Sequence, residues 1–325
     1  MKELTLEKTI FIPSKSRYDL SIDKWGNEEE AAKRFLKEGR WKTVVDSDER
    51  QKRNLARLHD RIPEARIIDR AGLTDHALAS NDLFVFVGGD NHFTYCSQAV
   101  LKYMKDHPEA DKYVAGVLLD PVKSYGALLH FGMHDFLDSL KKLEKGEYQV
   151  ERWTTLEARV ENHDKDFEPH PAVGDYFIGE YCNLLMSRNE AFNAAAIVEG
   201  LQIMPEKTSG IMVVTGAGSG PGSWYDNIHQ CYFGEPDEFS REERVARVIA
   251  RENKARAKYT LQEGQSLSIV SYNDDRGIIS PDSHERNSAS FGMGSKATIW
   301  ISDLRLPVIK VGEVRRCQKT SPDSV

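Results

Sequence analysis

The chain has 325 residues, a formal net charge of −7, and 40% hydrophobic and 29% charged residues. A chain of this size buries roughly 75% of its unfolded surface and has room for two domains. Its acidic balance argues against a nucleic-acid binder. Cys96, Cys182, Cys231 and Cys317 lie far apart and form no C-x-x-C pair, which suits free thiols in a reducing compartment better than a disulfide frame or a zinc site. The opening residues have no apolar core of signal-peptide length, and no apolar run approaches the thickness of a bilayer. The expectation is a cytoplasmic protein that engages neither membrane nor nucleic acid.

In chain order, residues 8–13 (K-T-I-F-I-P) predict a first strand, followed by a polar turn at 14–18 whose basic Lys15 and Arg17 could face phosphate or simply solvent. Residues 28–38 and 46–62 have helical spacing, with Leu55, Leu58 and Ile62 as the apolar stripe of the second. A short strand at 65–68 and a short helix at 74–78 lead to residues 83–87 (L-F-V-F-V), which read as a buried parallel strand. Gly88 and Gly89 stop that strand, and Asp90 stands at its carboxyl end, where ligands bind in open α/β sheets. A carboxylate there can accept a hydroxyl proton or hold a ribose, or it can merely cap the following helix at 93–104. Residues 113–119 predict another buried strand, closed by the polar loop Asp120-Pro121-Val122-Lys123-Ser124-Tyr125-Gly126.

Beyond a connecting helix at 136–145, apolar and polar segments alternate at 148–160, 174–187, 194–202 and 210–214, as in an antiparallel β domain. Residues 240–259 carry alternating charge and a Ser240-x-x-Glu243 capping box, which predicts one inserted helix. Strands are expected again at 266–271, 296–301 and 304–311. The reading is a Rossmann-like parallel α/β domain at 1–135, an antiparallel β-rich domain at 136–318, and a disordered tail at 319–325.

A second loop, Thr215-Gly216-Ala217-Gly218-Ser219-Gly220-Pro221-Gly222-Ser223, directly follows the strand at 211–214. Its glycines and hydroxyls suit backbone N–H groups that cradle phosphate, or a simple hairpin loop; it matches neither a P-loop nor a dinucleotide fingerprint. His130 and His134 have the spacing of a helical zinc pair but no third ligand in an obvious motif, so they read as surface or satisfied histidines. Trp224 and Tyr225 can stack on a base or pack in a core or interface, and Pro281-Asp282-Ser283 reads as a turn that could also line the site.

Taken together, the Gly88-Gly89-Asp90 loop in an α/β half and the Thr215-Gly-x-Gly-Ser loop in a β half resemble the NAD kinases, whose superfamily carries a G-G-D-G-[ST] signature. The likeness is nearest to the mitochondrial-type branch: Lys15-x-Arg17-Tyr18, Gly116-Val117, Asp120-Pro121, Ser124-x-Gly126, Phe177-Ile178-Gly179-Glu180, Ser187-Arg188 and Ser209-Gly210 follow in the same order over residues 8–302. The chain departs from it where G-G-D-G-[ST] becomes Gly88-Gly89-Asp90-Asn91-His92, where Asn-Glu becomes Gly174-Asp175, and where Gly-Val-Asn becomes Gly116-Val117-Leu118.

The resemblance implies ATP- and Mg²⁺-dependent phosphorylation of the adenosine-ribose 2′-hydroxyl of NAD, with Asp90 as the general base or hydroxyl-orienting carboxylate. It implies nucleotide contacts by Gly88, Gly89, Asn91, Asp120, Ser124, Gly126 and Asp175, and ribose and phosphate binding by Thr215, Gly216, Gly218 and Ser219. It also implies a homo-oligomer. Two alternatives remain open: a kinase of the same fold for another hydroxyl acceptor, its pocket reshaped by His92, Leu118 and Gly174, or an inactive nucleotide-binding sensor.

Overall fold

The computed structural model describes residues 2–35, 40–162, 165–182, 186–193, 207–274 and 276–312. Two compact units emerge: Met1–Cys96 with Asp111–Val150 and Val308–Val325, and Ser97–Ala110 with Glu151–Pro307.

The first unit is built on β1 (Thr9–Pro13), α1 (Arg17–Trp25), α2 (Glu28–Phe35), α3 (Trp41–Arg61), β2 (Arg66–Ile67), α4 (Asp75–Ser80), β3 (Leu83–Gly88), the start of α5 (Asp90–Asp106, which belongs to the second unit from Ser97 on), β4 (Tyr113–Leu118), β5 (Phe131–Gly132), α6 (Met133–Glu144) and the start of β6 (Gln149–Trp153, in the second unit from Glu151 on). β1, β3 and β4 pair in parallel, with Phe11 opposite Val85 and Val85 opposite Ala115. Every residue of β3 and β4 is buried, which is why both read as near-continuous apolar runs rather than alternating ones. Phe11, Leu58, Val85, Val117, Phe131 and Phe136 lie in one core.

The second unit holds β7 (Leu156–Glu161), β8 (Asp175–Glu180), β9 (Ser187–Asn193), β10 (Lys207–Thr208), β11 (Ile211–Val214), α7 (Trp224–Phe233), β12 (Val245–Ala250), β13 (Lys258–Gln262), β14 (Ser266–Ser271), β15 (Gly277–Pro281), β16 (Ala289–Ser290) and β17 (Lys296–Ile301). The last strand, β18 (Leu306–Lys310), returns to the parallel sheet, whose order is β2-β1-β3-β4-β18-β6 with β5 beside β4. The second unit's strands form two antiparallel sheets, β10-β9-β14-β17-β7 and β13-β12-β11-β8-β15-β16. Apolar side chains from both, among them Val160, Ile269 and Ile299 from one and Ile178, Val213 and Val248 from the other, share a core. The fold is thus a parallel α/β unit and an antiparallel β unit, as the sequence predicts.

Two local expectations fail. The inserted helix at 240–259 does not exist. Ser240 accepts from the Glu242 and Glu243 amides in a turn, and the chain then runs as β12 and β13. Apart from Arg247 and Lys258, which lie in β12 and β13, the charged residues of that stretch sit outside the strands, while Val245, Val248 and Ile249 are buried and paired across strands, so tertiary pairing overrides the charge pattern. The helix of this region is instead α7, capped by Ser223, which accepts from the Asp226 amide. The expected polar turn at 14–18 is the start of α1, capped by Ser16. The strand expected at 194–202 and the tail at 319–325 lie outside the described residues.

Among the described cysteines, Cys96, Cys182 and Cys231 are free, and burial pushes the Cys96 thiol up to about 12. No helix of the described residues is long and apolar enough to cross a membrane.

Candidate functional site

In the first unit the Gly-Gly-Asp turn joins β3 to α5, and Asp90 is the first residue of the helix. Its carboxylate accepts from two successive amides of the loop after β4, Ala127 N to Oδ2 at 3.1 Å and Leu128 N to Oδ1 at 2.8 Å. Both oxygens are thereby oriented. Gly88 is required by crowding: a Cβ there would lie 2.9 Å from the His92 ring and 2.9 Å from Ser14 Oγ. Ser124 Oγ lies 3.0 Å from where a Cβ on Gly89 would project, so Gly89, Asp90, Ser124 and the 126–128 loop form one cluster. Asn91 is exposed on the first turn of α5. Leu118 packs under Gly126, whose φ of +65° favours glycine.

His92 is 3% exposed. Arg70 Nε donates to Nδ1 at 2.8 Å, so the ring proton must sit on Nε2, which donates to the Ile12 carbonyl at 2.7 Å. Burial above all, with the Arg70 charge adding, lowers the imidazole to about 4. The ring is a neutral brace tying α5 to the end of β1, not a wall of an acceptor pocket.

Asp120 is likewise turned inward. Arg50 of α3 donates to both of its oxygens, at 3.0 and 3.1 Å, and Ser47 and the Val122 amide donate as well. Burial alone would raise its pKa, but the bonds from Arg50 and Ser47 outweigh it and hold the carboxyl below its ordinary value. Its backbone carbonyl in turn accepts from the Lys123 and Ser124 amides, so Asp120 shapes the loop that presents Ser124.

In the second unit the chain enters β8 through Val173 and Gly174, whose amides, with that of Asp175, all point at Asp282. Asp282 Oδ1 accepts from Gly174 N at 2.6 Å and Asp175 N at 3.3 Å, while Oδ2 accepts from Val173 N at 3.1 Å and from Gln98 Nε2 at 2.6 Å. Asp282 and Ser283 both adopt left-handed backbone, φ 50° and 56°, a costly conformation for non-glycine residues that the Asp282 bonds stabilise. A Cβ on Gly174 would meet Asp282 Oδ1 at 3.3 Å, so this carboxylate lies where a larger residue at 174 would begin. Burial, reinforced by the Asp282 charge, raises the neighbouring Asp175 to about 8; it carries a proton at neutral pH, and its Oδ1 is buried without a hydrogen-bond partner. In the sequence Asp282 reads as a turn residue that could line the site. The signal was there in Pro281-Asp282-Ser283, but nothing local tied it to Gly174.

The glycine-rich loop packs directly on this cluster. Thr215 Oγ1 donates to the Val173 carbonyl at 2.6 Å and accepts from Ala217 N at 3.2 Å. Ser219 Oγ donates to the Gly216 carbonyl at 2.9 Å and accepts from Phe239 N at 3.1 Å. Both hydroxyls face inward. A Cβ on Gly218 would sit 2.3 Å from the Gly174 carbonyl oxygen, and one on Gly216 2.1 Å from that of Ser240, so both glycines are sites of close backbone approach.

Tyr225 is fully buried and donates to Asp237, whereas Trp224 is 56% exposed with the Arg251 guanidinium 4.8 Å from its ring centre. His134 pairs with Asp138 on α6, and His130 precedes β5 rather than sharing that helix. No group of three or more His, Cys, Asp or Glu among the described residues could hold a metal ion.

The fold defined by these two units is the NAD kinase-like fold. Among solved structures it is similar to yeast NADH kinase complexed with NADH, with a TM-score of 0.65, 12% identity, and coverage of 96% of this chain and 86% of that one. It is also similar to an NAD kinase from Archaeoglobus fulgidus in complex with ATP, with a TM-score of 0.56, 15% identity, and coverage of 95% and 94%. No protein-family model and no curated protein sequence matches the chain.

Proposed function

We propose that the protein is an NAD kinase-like phosphotransferase that moves the γ-phosphoryl group of ATP to the 2′-hydroxyl of the adenosine ribose of NAD, giving NADP. The observation that carries this reading is the Asp90 carboxylate, held at the carboxyl end of β3 by the Ala127 and Leu128 amides, in a fold shared with yeast NADH kinase and A. fulgidus NAD kinase. Phosphoryl transfer asks little covalent chemistry of a protein; it asks for a positioned acceptor and stabilised phosphate charge.

Asp90 accepts the proton of the ribose hydroxyl as the new O–P bond forms and the bond to the β-phosphate oxygen breaks, releasing ADP. Gly88, Gly89, Asn91, Ser124 and Gly126 line the acceptor side. Asp120 acts through the loop it shapes. Asp175 meets bound NAD as a neutral carboxyl that can donate a hydrogen bond. Thr215, Gly216, Gly218 and Ser219 contribute through the backbone, since the two hydroxyls are committed inside the loop. Mg²⁺ carried by the ATP phosphates would offset their charge. Membership of the mitochondrial-type branch, a homo-oligomeric state and a cytoplasmic location belong to the same reading.

One observation favours a second reading, a kinase for a different hydroxyl: Gly174 offers no side chain to a ligand, and the Asp282 carboxylate lies beside it. Purified protein with ATP and Mg²⁺, challenged with NAD, NADH and a panel of nucleosides and sugars, separates the two. NADP or NADPH as the dominant product supports the first, and turnover of another acceptor alone replaces it with the second.

A further inference from the structure

A cleft of about 330 Å³ opens between α1 and α2, lined in part by Arg17, Lys24, Trp25, Arg34 and Phe35. Its size is at the lower end of small-molecule sites. Among the described lining residues its charge is one-sided. The neighbouring cations are neutralised, Lys15 by Asp23 and Lys33 by Glu29 and Glu30, and Glu28 is engaged by the Tyr18 hydroxyl. Arg17, Lys24 and Arg34 are in no ion pair with any described carboxylate. Three cations at one small cleft raise the local positive potential, which an anion relieves.

The same cleft carries rings. Arg34 and Lys24 lie 4.6 and 5.0 Å from the centre of the Trp25 ring, which is 37% exposed, and Arg17 lies 5.9 Å from that of Phe35. Phe35 is backed by Trp41 at 5.5 Å, and Trp41 by Tyr18 at 5.4 Å, so the aromatic wall is firm. Guanidinium forks match phosphate oxygens, and exposed rings match a planar base. The cations and rings already pair with one another, and an occupant with both a phosphate and a planar base would meet both kinds of group.

We propose that the α1–α2 cleft is a binding site for a nucleoside monophosphate, with the phosphate on Arg17, Lys24 and Arg34 and the base against Trp25 and Phe35. None of these residues belongs to the Asp90 or Asp282 clusters, so the proposal does not rest on the kinase reading. It also gives a use to Arg17, one of the two basic residues after the first strand, while Lys15 is spent on Asp23.

The test is photolabelling of the full-length protein with 2-azido-AMP, followed by tryptic mapping. Label is expected on the peptide of residues 25–33. Excess AMP should displace it, whereas the same concentration of inorganic phosphate or adenosine should not. Arg34→Glu and Arg17→Glu alter exposed side chains, and each should cut that labelling at least about tenfold, the loss of one charge-assisted bond. Circular dichroism checks that both variants are folded, and Arg34→Gln repeats the test with less charge change. Label confined to other peptides, label undiminished in all three variants, or displacement by phosphate as effective as by AMP would each overturn the proposal, the last reducing the cleft to a plain anion site.

Discussion

His92 offers the most quantitative test of the structure. Its neutral ring is fixed between the Arg70 guanidinium and the Ile12 carbonyl, and its pKa is lowered from 6.5 to about 4. In the unfolded chain the imidazole takes up a proton as pH falls below 6.5, whereas the native ring refuses it until about 4. Stability is therefore unaffected by this group above pH 6.5, falls by about 1.4 kcal/mol per pH unit within the window, and levels off below it, a total near 3 kcal/mol. His92→Gln has no proton to gain.

At neutral pH the variant is less stable, by roughly 1–3 kcal/mol, because the Arg70 and Ile12 groups lose an ideal partner. That deficit should shrink steadily as pH falls from 6.5 to 4 and reverse sign if the neutral-pH loss is at the small end. Urea unfolding of both proteins at pH 7, 5.5 and 4.5 reads it directly, and subtracting the variant removes carboxylates such as Asp120, which titrate equally in both. Parallel curves across that range would refute the buried neutral imidazole and the tautomer assigned here.

Other outcomes follow from the same geometry. Asp90→Asn replaces one amide acceptor with an NH₂ group facing the Ala127 or Leu128 amide, so urea unfolding should register a loss of about 2–3 kcal/mol as well as any loss of turnover; unchanged stability would mean that those bonds are not formed. Asp175 has a raised pKa, so its burial destabilises the native state increasingly as pH rises from the ordinary carboxyl range through about 8. Asp175→Asn should melt higher than the parent by roughly 5 °C at pH 8, with a smaller difference at pH 5, in thermal scans. Gly218→Ala would push a methyl to 2.3 Å from the Gly174 carbonyl; a loss of about 1–3 kcal/mol and displaced 173–175 amide resonances are expected.

The parts of the fold legible in the sequence are those whose signal is local. β3 and β4 are buried on both faces, so their apolar runs announce them, and Gly88-Gly89-Asp90 marks its own turn. β12 was illegible because its six residues lie between two charged stretches whose helical spacing outweighs them in any window. The site splits in the same way. Asp90 could be found from its position after a strand. The commitments of Asp120 to Arg50, 70 residues away, and of Asp282 to Gly174, 108 residues away, are set by tertiary contact and leave no local trace. The inward hydroxyls of Thr215 and Ser219 belong with them: the glycine spacing suggested an open phosphate cradle, but whether a hydroxyl faces ligand or its own loop depends on the packing against Val173 and Phe239.

The measurement that bears most directly on the central claim is transfer of label from [γ-³²P]ATP to NAD in the presence of Mg²⁺, with the product isolated and the phosphate position mapped. The account predicts labelled NADP carrying the phosphate on the adenosine-ribose 2′-oxygen, and a loss of at least about 100-fold in Asp90→Asn, the scale of general-base catalysis. Label absent from NAD, or undiminished in a folded Asp90→Asn protein, would contradict it.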